Sequence, residues 1–310
     1  MPNCSCEESI TVGRFAPSPT GLLHFGSLIT AVASYCYARS QRGKWLIRME
    51  DLDTPRNVPG AADAILRQLE QLGLFWDDSV IYQSERLDFY ADILQQFIDS
   101  GHVYRCTCTR REIAAHAREH GPAGPIYSGH CRFKKHNDST RGSWRLGIER
   151  KSIVFTDLLH GYVEQSLGDV VGDYILKRTD NIFAYQFATP LDDMAQEITQ
   201  IIRGADLLDS TPRQIYLMQL LDGPLPEYGH IPLALDEKGN KISKSNQALR
   251  NIDAYHPLPF STPDLFRALS FLGQDPPPPL QYGSAVTLLD WAVSNFKPLL
   301  IPQSNLCVHS

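Results

Sequence analysis

Apolar positions along the chain alternate between two periods. Thr11-Val12-Gly13-Arg14-Phe15 is a short run that predicts a strand, and after a stiff turn Leu28, Ile29, Val32 and Cys36 fall on one face at helical spacing. Lys44 to Met49 predicts a second buried strand. Ile65, Leu66, Leu69 and Leu72 make a helix that Gly73 stops, Ser79 to Gln83 a short strand, and Leu87, Tyr90, Leu94, Phe97 and Ile98 a helix closed by Gly101. This alternation predicts an α/β fold with a doubly wound parallel sheet. The rhythm breaks at Tyr104. From Ser143 to Gln165, the runs Trp144-Arg145-Leu146 and Ile153-Val154-Phe155 predict an antiparallel patch with a turn from Asp157 to Gly161. Tyr174 to Lys177 reads as a strand returning to the main sheet. Tyr185 and Arg203 read as residues at buried strand ends, with Asp192-Asp193 between them. Thr211-Pro212-Arg213-Gln214 and Thr262-Pro263 open helices, and Ala285 to Phe296 makes a last one beyond the stiff Pro276 to Pro279 linker.

Composition narrows the class. The 310 residues suggest about two domains. A net charge of −6 argues against a generally basic nucleic-acid binder and leaves room for a local basic face. Met1 to Ser9 carries Glu7 and Glu8 and no apolar centre, unlike a signal peptide, and no apolar run approaches the ~18 residues of a membrane span. Seven cysteines, an odd number, do not suit a secreted disulfide framework. A cytoplasmic protein with no membrane partner is expected, as a monomer.

Four stretches carry candidate chemistry. The turn Ala16-Pro17-Ser18-Pro19-Thr20-Gly21, with Gly26 beyond it, lies between a strand and a helix start, where free N–H groups and the helix dipole favour a phosphate. Glu50-Asp51-Leu52-Asp53 follows a strand, at the end where α/β sheets bind ligands. Cys106, Cys108 and Cys131 gather in a core-poor segment, which suggests a structural Zn²⁺; His130, His120, His136 or Tyr127 could be its fourth ligand. Lys241-Ile242-Ser243-Lys244-Ser245, after a turn-forming run, suits a polyphosphate. Tyr185 and Arg203 could form a pocket for a small acid, since Arg grips carboxylates bidentately.

Taken together, His24-Phe25-Gly26-Ser27 and Lys241-Ile242-Ser243-Lys244-Ser245 resemble the paired HIGH and KMSKS signatures of class I aminoacyl-tRNA synthetases. Arg14 to Gly21 and Arg48-Met49-Glu50-Asp51-Leu52-Asp53 are similar to the glutamyl and glutaminyl branch. The short C-terminal stretch and the set Cys106, Cys108, Tyr127, Cys131 resemble the members that lack an anticodon-binding domain and glutamylate queuosine in tRNA(Asp). The match runs from about Thr11 to Ser245.

The resemblance implies a Rossmann-type doubly wound parallel sheet with an inserted small zinc-bearing domain and a C-terminal helical unit. The expected divisions are 9–104 and 167–230 for the two halves of the catalytic domain, 105–166 for the insert, and 231–310 for the KMSKS-like loop and a helical unit. It implies that Arg14, Phe15, Ala16, Pro17 and Ser18 line a glutamate pocket, that Glu50 meets the substrate ammonium, and that Tyr185 and Arg203 complete it. His24, Gly26, Lys241 and Lys244 would bind ATP, with His24 and Lys244 acting in catalysis. Cys106, Cys108, Tyr127 and Cys131 would hold Zn²⁺, and Mg²⁺ would accompany ATP. Phe25, Ser27 and Ile242 depart from the signature letters, and Thr189 stands where glutamyl-tRNA synthetases tend to have a polar amide. The implied reaction uses ATP to activate L-glutamate and passes it to queuosine-containing tRNA(Asp). The alternatives are a compact glutamyl-tRNA synthetase charging the tRNA 3′ end and a non-catalytic RNA-binding module.

Overall fold

The first apolar run is a strand, β1 (Val12–Phe15), paired in parallel with β2 (Lys44–Met49) so that Val12 faces Lys44 and Phe15 faces Ile47. Between them the helix Phe25–Ser40 covers the sheet, and its Leu28, Ile29, Val32 and Cys36 are buried as their spacing predicts. It lies so close that a Cβ on Gly13 would meet that of Ala38 at 3.1 Å. The computed structural model describes residues 10–117, 119–121, 124–134, 140–149, 152–242 and 260–308. Ser243, Lys244, Ser245, His136 and the tail with Cys4 and Cys6 lie outside the described residues.

β2 leads through the helix Ala61–Gln71 to β3 (Ile81–Tyr82), and the helix Leu87–Asp99 follows. Gly73 and Gly101 end these helices at φ +76° and +74°, a conformation that glycine adopts without steric cost. Four further strands complete the sheet: β4 (Ser152–Asp157), β5 (Gly161–Ser166), β6 (Gln200–Gly204) and β7 (Glu227–Ile231). The order is β3-β2-β1-β6-β7-β4-β5, parallel at every pairing except the β4–β5 hairpin. The chain winds from β1 outward to β3, then crosses to the other side. The strand order therefore reverses between β1 and β6, and a crevice opens at their carboxyl ends.

Each face of the sheet has its own core. Trp45, Ile47 and Met49 join the helix Phe25–Ser40 and the C-terminal helices Thr262–Phe271 and Ala285–Asn295. Leu46 points the other way, among Tyr90, Leu94, Phe97, Phe187, Ile201 and Tyr228. Burial on both faces explains why Trp45-Leu46-Ile47 reads as an apolar run instead of alternating, and the buried Arg48 interrupts it.

Three elements depart from the sequence pattern. Tyr174–Lys177 is a strand but does not return to the main sheet; it pairs with Ser143–Leu146, which pairs with Val103–Cys106, in a separate antiparallel sheet. Ser152–Asp157, expected in the antiparallel patch, has one antiparallel neighbour and joins the main sheet through the pairing of Tyr228 with Asp157. Alternation identifies a strand without specifying its partner. Tyr185 opens a helix, Tyr185–Ala195, where a strand end was expected. Pro190 inside that helix disguised it; the proline removes only the bond to the Gln186 carbonyl.

Candidate active site

The carboxyl ends of β1, β2, β6 and β7 bring the residues predicted for glutamate and ATP, apart from Lys244, which lies outside the described residues, to one cleft of about 870 Å³. Arg14, Phe15, Ala16, Pro17 and Ser18 come from the end of β1 and the turn after it, Glu50 follows β2, Arg203 lies on β6, and Tyr185 is the first residue of its helix. The turn is fixed to its neighbours: the Glu50 N–H donates to the Pro17 carbonyl at 3.0 Å and the Val58 N–H to the Pro19 carbonyl at 2.9 Å. Phe15 also stacks on Trp45 in the core, with centroids 6.3 Å apart.

The opposite wall holds the two signature stretches. His24 caps the helix Phe25–Ser40, its Nδ1 accepting from the Ser27 N–H at 3.2 Å. A Cβ on Gly26 would lie 3.5 Å from the Ile242 carbonyl oxygen, so the start of the Lys-rich loop lies against the helix start. Lys241 lines this wall and pairs with Asp206. Open helix N–H groups and a lysine leave this end of the cleft suited to a polyphosphate.

The acid-binding end rests on a buried ionic network. Arg14 and Arg48 both donate to Asp193 Oδ1, at 3.1 and 2.8 Å. Asp192 Oδ1 accepts from Arg86 at 2.7 Å; its Oδ2 accepts from Gln83 at 2.7 Å and Tyr90 at 2.6 Å. Burial raises the Asp193 carboxyl, but the two guanidinium groups outweigh it and hold the pKa below the usual range. Glu50 is pushed the other way. Its burial dominates over Arg48, 3.5 Å away, over Arg14 and over the Thr189 hydroxyl, which donates to Oε1 at 2.9 Å. Thr189 thus contributes a donor to Glu50 from the helical stripe of Tyr185 and Asp193.

Arg203 is held from behind. Its Nε lies 3.1 Å from His230 Nε2, one amino group donates to Gln214 at 2.8 Å and Tyr185 at 3.1 Å, and the other donates to Thr211 at 2.6 Å and to the Leu207 carbonyl at 3.5 Å. Asp157 Oδ2 lies 2.6 Å from His230 Nδ1. Burial lowers the His230 pKa, Asp157 opposes that, and the ring stays neutral at ordinary pH. Sequence reading missed both residues: they stand 73 positions apart in no shared motif. Arg48 and Asp193 had more signal, since a double aspartate one helical face from Tyr185 suggests a buried acid.

The cysteine segment forms a second cluster. The sulfurs of Cys106, Cys108 and Cys131 lie within 4.8 Å of one another, with Cys108 and Cys131 at 3.4 Å. The Tyr127 hydroxyl sits among them, 3.2 Å from Cys106 Sγ and 3.4 Å from Cys108 Sγ, and accepts from the Cys131 N–H at 3.0 Å. Thiolates on one tetrahedral zinc, each ~2.3 Å from it, stand roughly 3.8 Å apart, so the donor set fits the ion. His120 and His130 are exposed, and His130 Nε2 lies 2.7 Å from Lys134 Nζ. Burial and the neighbouring sulfurs push the Cys108 thiol up to about 11, so an incoming cation must displace protons.

A family model described as "tRNA synthetases class I (E and Q), catalytic domain" matches residues 10–280. A protein of Geobacter sulfurreducens named glutamyl-Q tRNA(Asp) synthetase is 47% identical over 308 residues, covering 99% of this chain and 98% of its own length. The chain belongs to the glutamyl-Q tRNA(Asp) synthetase family. A Pseudomonas aeruginosa protein of the same name is 47% identical over 294 residues, 94% of this chain and 95% of its own. A glutamate tRNA ligase from Elizabethkingia meningosepticum, solved with its amino acid, superposes with a TM-score of 0.77 at 24% identity. That match covers 97% of this chain and 67% of the ligase, and places the family in the class I α/β fold. No helix among the described residues is long and apolar enough to cross a membrane.

Proposed function

We propose that the protein activates L-glutamate with ATP and transfers it to queuosine at the wobble position of tRNA(Asp). In the first step the glutamate α-carboxylate attacks the α-phosphorus of ATP, and pyrophosphate leaves. In the second, a hydroxyl of the queuosine cyclopentenediol attacks the acyl carbon of glutamyl-adenylate, loses its proton, and AMP leaves. The end-to-end match to relatives named for this activity carries the reading.

The cleft supports it chemically. Arg203 makes its shortest bonds to Thr211 and Gln214, behind the cleft, while its bonds to Tyr185 and the Leu207 carbonyl are to residues that line the cleft and are those a substrate carboxylate would displace. Glu50 supplies a carboxylate at the acid-binding end for the substrate ammonium, whereas Asp206, the other carboxylate lining the cleft, pairs with Lys241 at the far end. Lys241, Gly26 and His24 would take the phosphates at the other end, the KMSKS resemblance adds Lys244 to them, and Mg²⁺ would accompany the ATP. Catalysis is then positioning and charge stabilisation, with no covalent intermediate on the chain. Cys106, Cys108, Tyr127 and Cys131 would hold a Zn²⁺ that braces the inserted segment. The five described cysteines form no disulfide, in keeping with a cytoplasmic enzyme.

The test is transfer of labelled glutamate, with ATP and Mg²⁺, onto tRNA(Asp) with or without queuosine, beside tRNA(Glu). Label is expected only on the queuosine-bearing tRNA(Asp). Label on tRNA(Glu) instead would make this a charging enzyme, and none on any would remove the activity.

A further inference from the structure

Behind Arg203, three neighbouring parallel strands contribute one polar residue each at adjoining positions. Arg203 on β6 stands in register with His230 on β7, and Asp157 ends β4 beside them. All three side chains are buried, with His230 completely so. They form a line: Asp157 Oδ2 to His230 Nδ1 at 2.6 Å, then His230 Nε2 to Arg203 Nε at 3.1 Å.

Donor and acceptor bookkeeping fixes the protons. An arginine Nε is only a donor, so His230 Nε2 must be a bare acceptor, and the single ring proton of a neutral imidazole sits on Nδ1. There it donates to Asp157, and the Thr211 hydroxyl 3.0 Å from Nε2 can turn its proton to the same lone pair. The opposite tautomer would set two N–H groups against each other in a fully buried site. Asp157 is itself anchored through its other oxygen, which accepts from the N–H groups of Leu159 at 2.9 Å, His160 at 3.0 Å and His230 at 3.3 Å.

We infer that Asp157 and His230 are positioning residues for substrate binding: Asp157 selects the Nδ1–H tautomer of His230, and His230 thereby orients the Arg203 guanidinium toward the carboxylate of the substrate. The inference rests on the proposed glutamate pocket. It explains a buried acid–histidine pair that makes no contact with the cleft and would otherwise be a costly ornament of the core.

Asp157→Asn is the sharp variant. Its amide oxygen keeps the three backbone bonds, while its NH₂ group faces Nδ1 and drives the proton to Nε2, against Arg203. In glutamate-dependent pyrophosphate exchange, Asp157→Asn and His230→Leu are expected to raise the KM for glutamate about 10–100-fold, with the KM for ATP unchanged and kcat moved far less. His230→Gln, which keeps an acceptor for Arg203 Nε, is expected to recover most of that loss. Equal effects of all three variants on kcat and on both KM values would mark a merely structural pair and overturn the inference. ¹⁵N NMR of the histidine ring in the wild-type protein decides the tautomer whatever the enzyme assay gives. Proton on Nδ1 is expected, and proton on Nε2 overturns the inference even if glutamate transfer is found. If exchange with glutamate is absent while the ring shows Nδ1–H, the substrate assignment fails, and with it the role given to the pair toward that substrate.

Discussion

At the scale of single residues, the acid end of the cleft works by opposed charges under different degrees of control. Asp193 is held ionised by two arginines, whereas Glu50 sits where desolvation wins. The Thr189 hydroxyl is one of the few groups favouring the ionised Glu50. Thr189→Val should therefore raise the Glu50 pKa further, shift the acid limb of kcat/KM for glutamate to higher pH, and raise the KM. A lost hydrogen bond to a charged group costs about 1.5–3 kcal/mol, which is roughly ten- to a hundredfold in that constant. A pH series of pyrophosphate exchange on both proteins measures it, and an unmoved limb would remove Thr189 from the pocket. Much of this site was legible beforehand. Arg14 and Glu50 follow from family motifs and Arg203 from its strand-end position, because chemistry in α/β sheets concentrates at carboxyl ends, whereas Tyr185 reads as a strand end but begins a helix. Asp157 and His230 were not legible, because their meaning comes from a register between β4, β6 and β7 that no local spacing encodes.

Among the elements, the cysteine-bearing segment departs most from the rules that govern the rest. Its small core holds Cys106, Tyr127 and Cys131, with Tyr104, Cys108 and Ile113 packed around them. Gly172, at φ +67°, runs so near that a Cβ there would meet the Tyr127 carbonyl at 2.5 Å. So small an apolar cluster needs a staple. Cys131→Ser, or stripping the metal with a chelator, is expected to remove zinc by elemental analysis. It should also speed amide exchange across Val103–Cys106 and Ser143–Leu146 by about tenfold or more, while β1 and β6 keep their protection. Zinc should loosen as pH falls, because thiolates recover their protons. Uniform exchange across both sheets would deny the segment any separate stability. Cysteine spacing announced this cluster in the sequence, and Gly73 and Gly101 announced the helix ends. The placement of Tyr174–Lys177 stayed hidden, since a strand with one face buried reads alike in either sheet.

For the molecule as a whole, the paired aspartates join stretches of chain that lie far apart in sequence. Asp192 and Asp193, on the helix Tyr185–Ala195, gather Arg14, Arg48, Gln83, Arg86 and Tyr90 from the first hundred residues. Asp192→Asn strands Arg86 and weakens the surroundings of Arg48, and is expected to lower the unfolding free energy by about 3–5 kcal/mol in urea titrations. Asp193 titrates below its unfolded value, so its contribution is present above the ordinary carboxylate pKa near 3.8 and is lost as pH falls beneath that. Acid unfolding should begin in that range, and Asp193→Asn should flatten it. The sheet order also has a consequence in time. One edge of β1 meets β2 soon after it is made, but its other neighbour begins at Gln200. On a ribosome adding ~5–20 residues per second, roughly 10–40 s pass before that partner emerges. Throughout that interval the nascent chain carries a strand edge of unpaired N–H and C=O groups in what will become the middle of the sheet, a natural seat for a chaperone.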